Sequence, residues 1–359
     1  MGTAGTVSAD GRARLAGRLR GQAAYCADGR SPFYATLLEQ LAADAEDGGP
    51  TWDLLGRTVD DPPMLVPQLR VLGAVHRLVL SGAAPDLAAH YPSVGGDGDA
   101  TAAWPPFRAL LAARRDELDP WIERTPQTNE VQRSAALIGG FLTVAAETGL
   151  PLRILEVGAS AGLNLRLDRF WYETDGRGIG DPASPVRFAD VWDGDPVPFD
   201  TPMVVAERAG CDRDPIDPTS DEGRLALLGY VWPDQADRFK QLRGAFEVAS
   251  RVPAPVDRAD ALDWLARHLA EPRPEMATVV FHSIVLQYFP PADAARLATL
   301  LADAGARATR SAPLAWLRLE PNAPNELTHA ELRLTIWPSG EERLLARAGF
   351  HGAPVHWGP

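Results

Sequence analysis

Five residues near the middle of the chain, Gly158-Ala159-Ser160-Ala161-Gly162, have the types and spacing to do chemistry. One reading is G-x-S-x-G, a sharp turn that exposes a serine hydroxyl as nucleophile and needs an acid and then a histidine downstream. Asp260 followed by His282 or His351 supplies that order. The other reading adds Glu156 in front: small residues let a ligand approach the backbone, and free N–H groups beyond the turn receive it. The flanks bear on the choice. Leu152 to Val157 is mostly apolar, and Leu163, Leu165 and Leu167 follow with polar residues between, so the stretch reads as strand, tight turn, helix.

The elements around this corner favour the ligand-binding turn. From about residue 11 to 149 the pattern is helical, with apolar runs at Tyr34 to Leu41, Leu65 to Leu80 and Ala135 to Thr148. His76 lies on the apolar side of its helix and reads as a hydrogen-bonded core histidine. The capping-rich Thr125 to Arg133 stretch leads into the last of these helices. After residue 150, strand and helix alternate: Leu152 to Val157, Met203 to Ala206 ending in Glu207, Val256 to Asp260, Ala277 to His282 and Leu314 to Leu319. A hairpin follows, Glu331 to Trp337 and Glu342 to Ala346 around Pro338-Ser339-Gly340. Alternation of this kind gives a parallel sheet, with ligands at the carboxyl ends of its strands. The expected fold is α/β: a Rossmann-like, parallel sheet with a C-terminal antiparallel hairpin over residues 126–359, and an all-helical N-terminal lid over 1–125. A hydrolase elbow would need several strands before it; here everything before it reads as helix.

Composition removes other classes. Thirty-four arginines stand against one lysine, Lys240, in a charged helical run where it reads as solvated. There is no G-K-[ST] phosphate loop, which excludes a P-loop nucleotide hydrolase. A formal charge of −13 argues against nucleic acid as partner and for a small molecule. Cys26 and Cys211 stand far apart without metal-ligand spacing, so neither a disulfide framework nor a metal is expected, and a reducing cytoplasm fits. No apolar run approaches the ~18 residues of a membrane span. Met1-Gly2 with Thr6 matches a myristoylation signal by chance composition.

With Glu156 included, E-x-G-x-x-x-G resembles the first motif of class I S-adenosyl-L-methionine (SAM) methyltransferases. The resemblance implies cofactor contacts at Glu156, Gly158, Ala159, Ser160, Gly162 and Asn164. It further implies a ribose-binding acid at the second strand tip, Glu207, and an acidic pair after the third, Asp260-Ala261. FHSIVLQYF from Phe281 resembles the fourth motif; it would border cofactor and substrate, with His282 as the catalytic base and Gln287 and Tyr288 near the acceptor. Ser160 replaces the middle glycine of the usual triplet. Glu207 comes about 45 residues after Gly162 where ~20 is usual, so an insertion at 171–202 or a substitute acid, Asp181 or Asp190, is required. Arg133, Asn129 and Glu130 could bind the cofactor's amino-acid end or a substrate carboxylate; Asp212, Arg213, Asp214 and Asp217 form a loop of substrate contacts or an ion-paired brace. Trp232 and Trp337 read as core.

The whole chain also resembles an uncharacterised, mainly actinobacterial domain-of-unknown-function family, number 2332. The phrases that carry this are SPFYATL (31–37), QTNEVQRSAAL (127–137), EVGASAGLNLRLDRFWY (156–172), ERAGCDRDPIDP (207–218), EGRLALLGYVWPDQADR (222–238) and WPSGEERLLARAGFHGAPVHW (337–357). The expectation is a SAM-dependent methyltransferase of a small molecule. The alternatives are a serine hydrolase using Ser160 and an inactive methyltransferase fold that binds a ligand.

Overall fold

The computed structural model describes residues 3–28, 30–62, 66–124, 126–322 and 328–359. Met1, Gly2, Leu65, Thr125 and the side chain of Thr6 lie outside the described residues. The chain divides into two compact units, Met1–Thr128 with Asp221–Phe239, and Asn129–Ser220 with Lys240–Pro359. Segment 221–239, which follows the corner in sequence, thus groups with the N-terminal residues.

The first unit is built from helices, among them Thr3–Ala27, Pro32–Glu46, Pro67–Leu80, Ala100–Ala113 and Asp221–Gly229. Helix Pro32–Glu46 starts where it does because proline suits the first turn and the Ser31 hydroxyl accepts from the Tyr34 N–H. Its apolar stripe, Leu37, Leu38 and Leu41, is wholly buried with Leu15, Leu19, Val75 and Trp232. The inserted segment is fastened by polar contacts: Asp234 accepts from Ser31 Oγ at 2.6 Å and from the Phe33 N–H at 3.1 Å. His76 is a core histidine, with Nδ1 3.2 Å from the Gly229 carbonyl and Nε2 2.7 Å from Ser93 Oγ. Burial lowers its pKa to about 3.

The second unit is mixed α/β around a large, mostly parallel sheet. Its strands are β1 (Leu152–Val157), β2 (Trp171–Thr174), β3 (Arg177–Gly180), β4 (Arg187–Ala189), β5 (Trp192–Gly194) and β6 (Val205–Asp212). They continue with β7 (Val256–Arg258), β8 (Ala277–Ser283), β9 (Leu314–Glu320), β10 (Ala330–Trp337), β11 (Glu341–Ala348) and β12 (Val355–Trp357). Nine strands form the sheet in the order β5-β12-β11-β10-β9-β8-β1-β6-β7. Pairing is parallel from β7 to β9 and antiparallel through β10, β11 and β12. All six residues of β1 are buried, as a strand covered on both faces requires. Helix Arg133–Thr148 covers one face, and Gly139 and Gly140 are needed there because a Cβ at either would run into Trp357 or Leu317. On the other face, helices Ala261–His268 and Pro291–Gly305 bury Trp264, Leu265, Leu297 and Leu301 against Leu155, Val157 and Val280.

Three expectations about elements change. The segment after the corner is a 3-10 run, Asn164–Arg169, with Arg166 at φ −110°, so no α-helix begins there. Leucines at 163, 165 and 167 recur every second residue, and that period does not place them on one helical stripe. The strand expected to end at Glu207 continues five residues further, to Asp212. Within the 171–202 insertion, β2, β3 and β4 form a separate three-stranded sheet in the order β3-β2-β4, while β5 joins the edge of the large one. Asp181 accepts from the Ala183 N–H within that insertion and Asp190 follows β4, so neither stands at the tip of β6.

Candidate functional site at the carboxyl edge of the sheet

Strand order reverses at β1: the chain goes next to β6 and β7 on one side, then to β8 and β9 on the other. The crevice at such a reversal, outside the carboxyl ends of the strands, is where open α/β sheets receive ligands. The turn that leaves β1 there has three left-handed residues, Gly158 (φ 68°), Ser160 (φ 52°) and Gly162 (φ 65°). Gly158 is exposed, and a Cβ on it would run into Val285. Ile284, across the reversal at the end of β8, is also left-handed (φ 52°), an unfavourable conformation for a β-branched residue. Strained backbone therefore stands on both sides of the reversal.

Asp212, at the tip of β6, fixes the turn: its carboxylate accepts from the Ser160 N–H at 2.9 Å and from the Asp214 N–H at 2.9 Å. Ser160 itself is buried, and its carbonyl accepts from the Ile216 N–H. Glu156 is buried beneath the turn, and its Oε2 has no hydrogen-bond partner. Burial, reinforced by the Asp212 charge, holds its carboxyl well above the usual range, although Arg166 and Arg133 oppose this. Its surroundings at the end of the first strand therefore favour the uncharged form of the acid.

The 129–133 stretch closes against the corner. The Leu163 N–H donates to Asn129 Oδ1 at 2.9 Å, and Asn164 Nδ2 donates to the Glu130 carbonyl at 3.2 Å. Arg133 donates from Nε to the Phe350 carbonyl and from Nη1 to the Ser283 carbonyl. These three residues thus brace the corner with contacts of their own, where the sequence left them as ligands of a cofactor or a substrate. Arg166 does likewise, donating to the Gly162 and Val252 carbonyls; burial lowers its pKa to about 10.

Other expected site residues lie elsewhere or are engaged. Glu207 pairs in register with Arg153 near the amino end of β1, 3.2 Å from its Nε, and also accepts from Arg273. It stands at the opposite end of the strands from the corner, so the acid at the second strand tip is Asp212. Asp260 caps helix Ala261–His268, accepting from the Leu262 and Asp263 N–H groups, and Ala261 is the first residue of that helix. Asp214 pairs with Arg258 at 2.7 Å and Asp217 accepts from Thr219, a braced loop. Gln287 and Tyr288 are exposed just beyond β8.

His282 cannot act as a base toward a ligand. It is fully buried; the Trp316 indole N–H donates to its Nε2 at 3.0 Å, which leaves the proton on Nδ1, 2.7 Å from Glu320 Oε1. Both ring nitrogens are engaged inside the protein. A second histidine–glutamate pair, not evident from the sequence, stands on the same edge. His351 Nδ1 lies 3.0 Å from Glu130 Oε2, with Glu130 buried and His351 partly exposed. Nothing in local sequence signals it. His356 pairs with Asp193 on β5.

Among the described residues no group of three or more His, Cys, Asp or Glu could hold a metal, and no helix is long and apolar enough to cross a membrane. The family whose model is described as "Uncharacterized protein conserved in bacteria", DUF2332, matches residues 16–357. Neither a curated protein nor a solved structure matches the chain.

Proposed function

The chain belongs to the DUF2332 family, described as conserved in bacteria, and we propose that it is a SAM-dependent methyltransferase of a small molecule, with the cofactor at the 156–162 turn. The observation that carries the reading is the strand order β7-β6-β1-β8-β9 with an exposed, left-handed Gly158 at its reversal. That is the doubly wound order 3-2-1-4-5, whose ligands lie at this place. The residues fit the cofactor. Glu156 Oε2, buried without a partner, and the Gly158 backbone suit its amino-acid end; Asp212 at the tip of β6 suits the ribose hydroxyls, and Asp260-Ala261 after β7 the adenine. The bound cofactor would supply an electrophilic methyl group on a sulfonium. The chain's own part is to hold an acceptor in line with it, which accounts for most of the acceleration in such a displacement. A serine-hydrolase reading finds less support: Ser160 is buried and leads into a 3-10 run, and His282, the nearest candidate downstream, is sealed.

Calorimetric titration with SAM and S-adenosylhomocysteine tests the proposal. Micromolar binding that weakens at least about tenfold in Asp212→Asn (about 1.4 kcal/mol) and is unchanged in Glu207→Gln is the expected result. No binding at millimolar ligand ends the reading. Asp260→Ala is a poor probe, because it removes a helix cap as well.

A further inference from the structure

We infer that His351, held by Glu130, is the base that takes a proton from the substrate, and that the substrate is therefore a small hydroxyl compound; the inference rests on the methyltransferase reading above. It begins with position. β11 runs antiparallel to β10 and β10 antiparallel to β9, so β11 is parallel to β9 and ends on the same edge as β1 and β8. His351 follows that end. A single guanidinium, Arg133, reaches from the carbonyl of its neighbour Phe350 (3.0 Å) to the carbonyl of Ser283 at the tip of β8 (3.2 Å). Glu130, its partner, is tied through its carbonyl to Asn164 of the corner segment. The pair therefore stands beside the strand reversal.

Orientation follows from hydrogen bonding. Glu130 is 5% exposed; its Oε1 accepts from the Gln132 N–H at 3.3 Å, and its Oε2 lies 3.0 Å from His351 Nδ1. A carboxylate only accepts, which puts the proton on His351 Nδ1 and the lone pair on Nε2. The His351 side chain is 39% exposed, and Nδ1 makes its hydrogen bond to Glu130. The loop packs closely on the start of helix Arg133–Thr148: Gly352 is left-handed (φ 97°), and a Cβ there would run into the Arg133 backbone. Glu130 and Arg133 are the charged groups that these contacts bring to the ring.

A hydroxyl is a weak nucleophile, and methylating it calls for proton removal, whereas a neutral amine needs no base to attack. His351 Nε2 takes the hydroxyl proton as the oxygen lone pair forms the new O–C bond. The S–C bond breaks with its electron pair left on sulfur, and the products are a methyl ether and S-adenosylhomocysteine. The imidazolium, balanced by Glu130, then gives its proton to water. Glu130 is a positioning residue in this step.

The test uses the full chain, with His351→Gln and Glu130→Gln, and two kinds of readout. In nitrogen-15 spectra of histidine-labelled protein, the resonances lost in His351→Gln should belong to an Nδ1–H tautomer, and that preference should weaken in Glu130→Gln. A native Nε2–H tautomer would overturn the inference, since that nitrogen could take no proton. With methyl-labelled SAM, phenol should be methylated. His351→Gln should lower kcat on phenol by about 10²–10⁴-fold, with KM within about twofold and the acid limb of the pH profile gone. 4-Nitrophenol, ionised in mildly alkaline buffer, should be spared. Equal losses on both phenols, no loss, or transfer to benzylamine alone would overturn it. SAM binding without transfer to either phenol overturns the role of His351 and leaves the cofactor reading standing; absence of SAM binding overturns that reading and this one with it.

Discussion

Two histidine–glutamate pairs stand on one edge of the same sheet and lead to opposite ends. His282–Glu320 joins the tips of β8 and β9, with both imidazole nitrogens engaged and no exposure. His351–Glu130 joins the loop after β11 to the start of helix Arg133–Thr148, with Nδ1 engaged and the ring partly open. In both, the carboxylate fixes the tautomer. What differs is the far nitrogen: an indole N–H closes it in one pair, and solvent reaches the ring in the other. The second partner of the ring decides whether such a pair is a strut or a tool, and residue types alone carry no trace of it.

The largest effect should come from breaking the closed pair. His282→Ala strips the Trp316 N–H of its acceptor and removes one donor from the buried Glu320 carboxylate, which keeps the Val285 N–H at 2.9 Å; burying an unsatisfied polar group in this way should destabilise the protein by about 1–3 kcal/mol. Urea unfolding reads this directly; an unchanged midpoint would show that the pair is no strut. Next comes Glu156, a carboxyl beneath the same edge with no histidine. Its folded pKa lies above its unfolded value. The stability it contributes is therefore complete below the ordinary carboxyl range and is lost as pH rises toward the folded value. Glu156→Gln should thus gain on the native protein as pH climbs above about 4, seen as a widening gap between their thermal midpoints; a constant gap would mean that burial does not raise the Glu156 carboxyl. The smallest effect should follow His351→Gln: a partly exposed pair is worth about 1 kcal/mol or less, so its unfolding curve should nearly overlay the native one.

Legibility in the sequence tracks how a segment buries itself. β1, β8 and β9 are mostly apolar runs, and their limits are readable within a residue or so. β6 was cut short at Glu207-Arg208, because charges inside a strand look like its end. Here Glu207 pairs with Arg153 and Arg208 with Asp168 at 2.6 Å, so both charges are met within the fold. β5 and β12 are three residues each and hold the sheet's far edge by pairing with each other, which no short-range pattern announces. The corner was evident from its small residues. His282 was misjudged for want of two distant partners, and the Glu130–His351 pair spans 221 positions. Identity of a residue is local, whereas its hydrogen-bond partner is a property of the finished fold.

Segment 221–239 has a consequence in time. The helical unit uses it for its polar fastenings, from Ser31 to Asp234 and from His76 to Gly229, across 203 and 153 positions. A chain is made from its N-terminus, and domains generally fold as they emerge. Here the first unit to be synthesised cannot be completed until β1, the corner and β6 have already left the ribosome. Residues 1–128 made alone would lack the strip that seals them, and Trp232, part of their core, would be missing too. In the living cell residues 1–128 must wait, unfinished, for a later stretch of the chain to be translated.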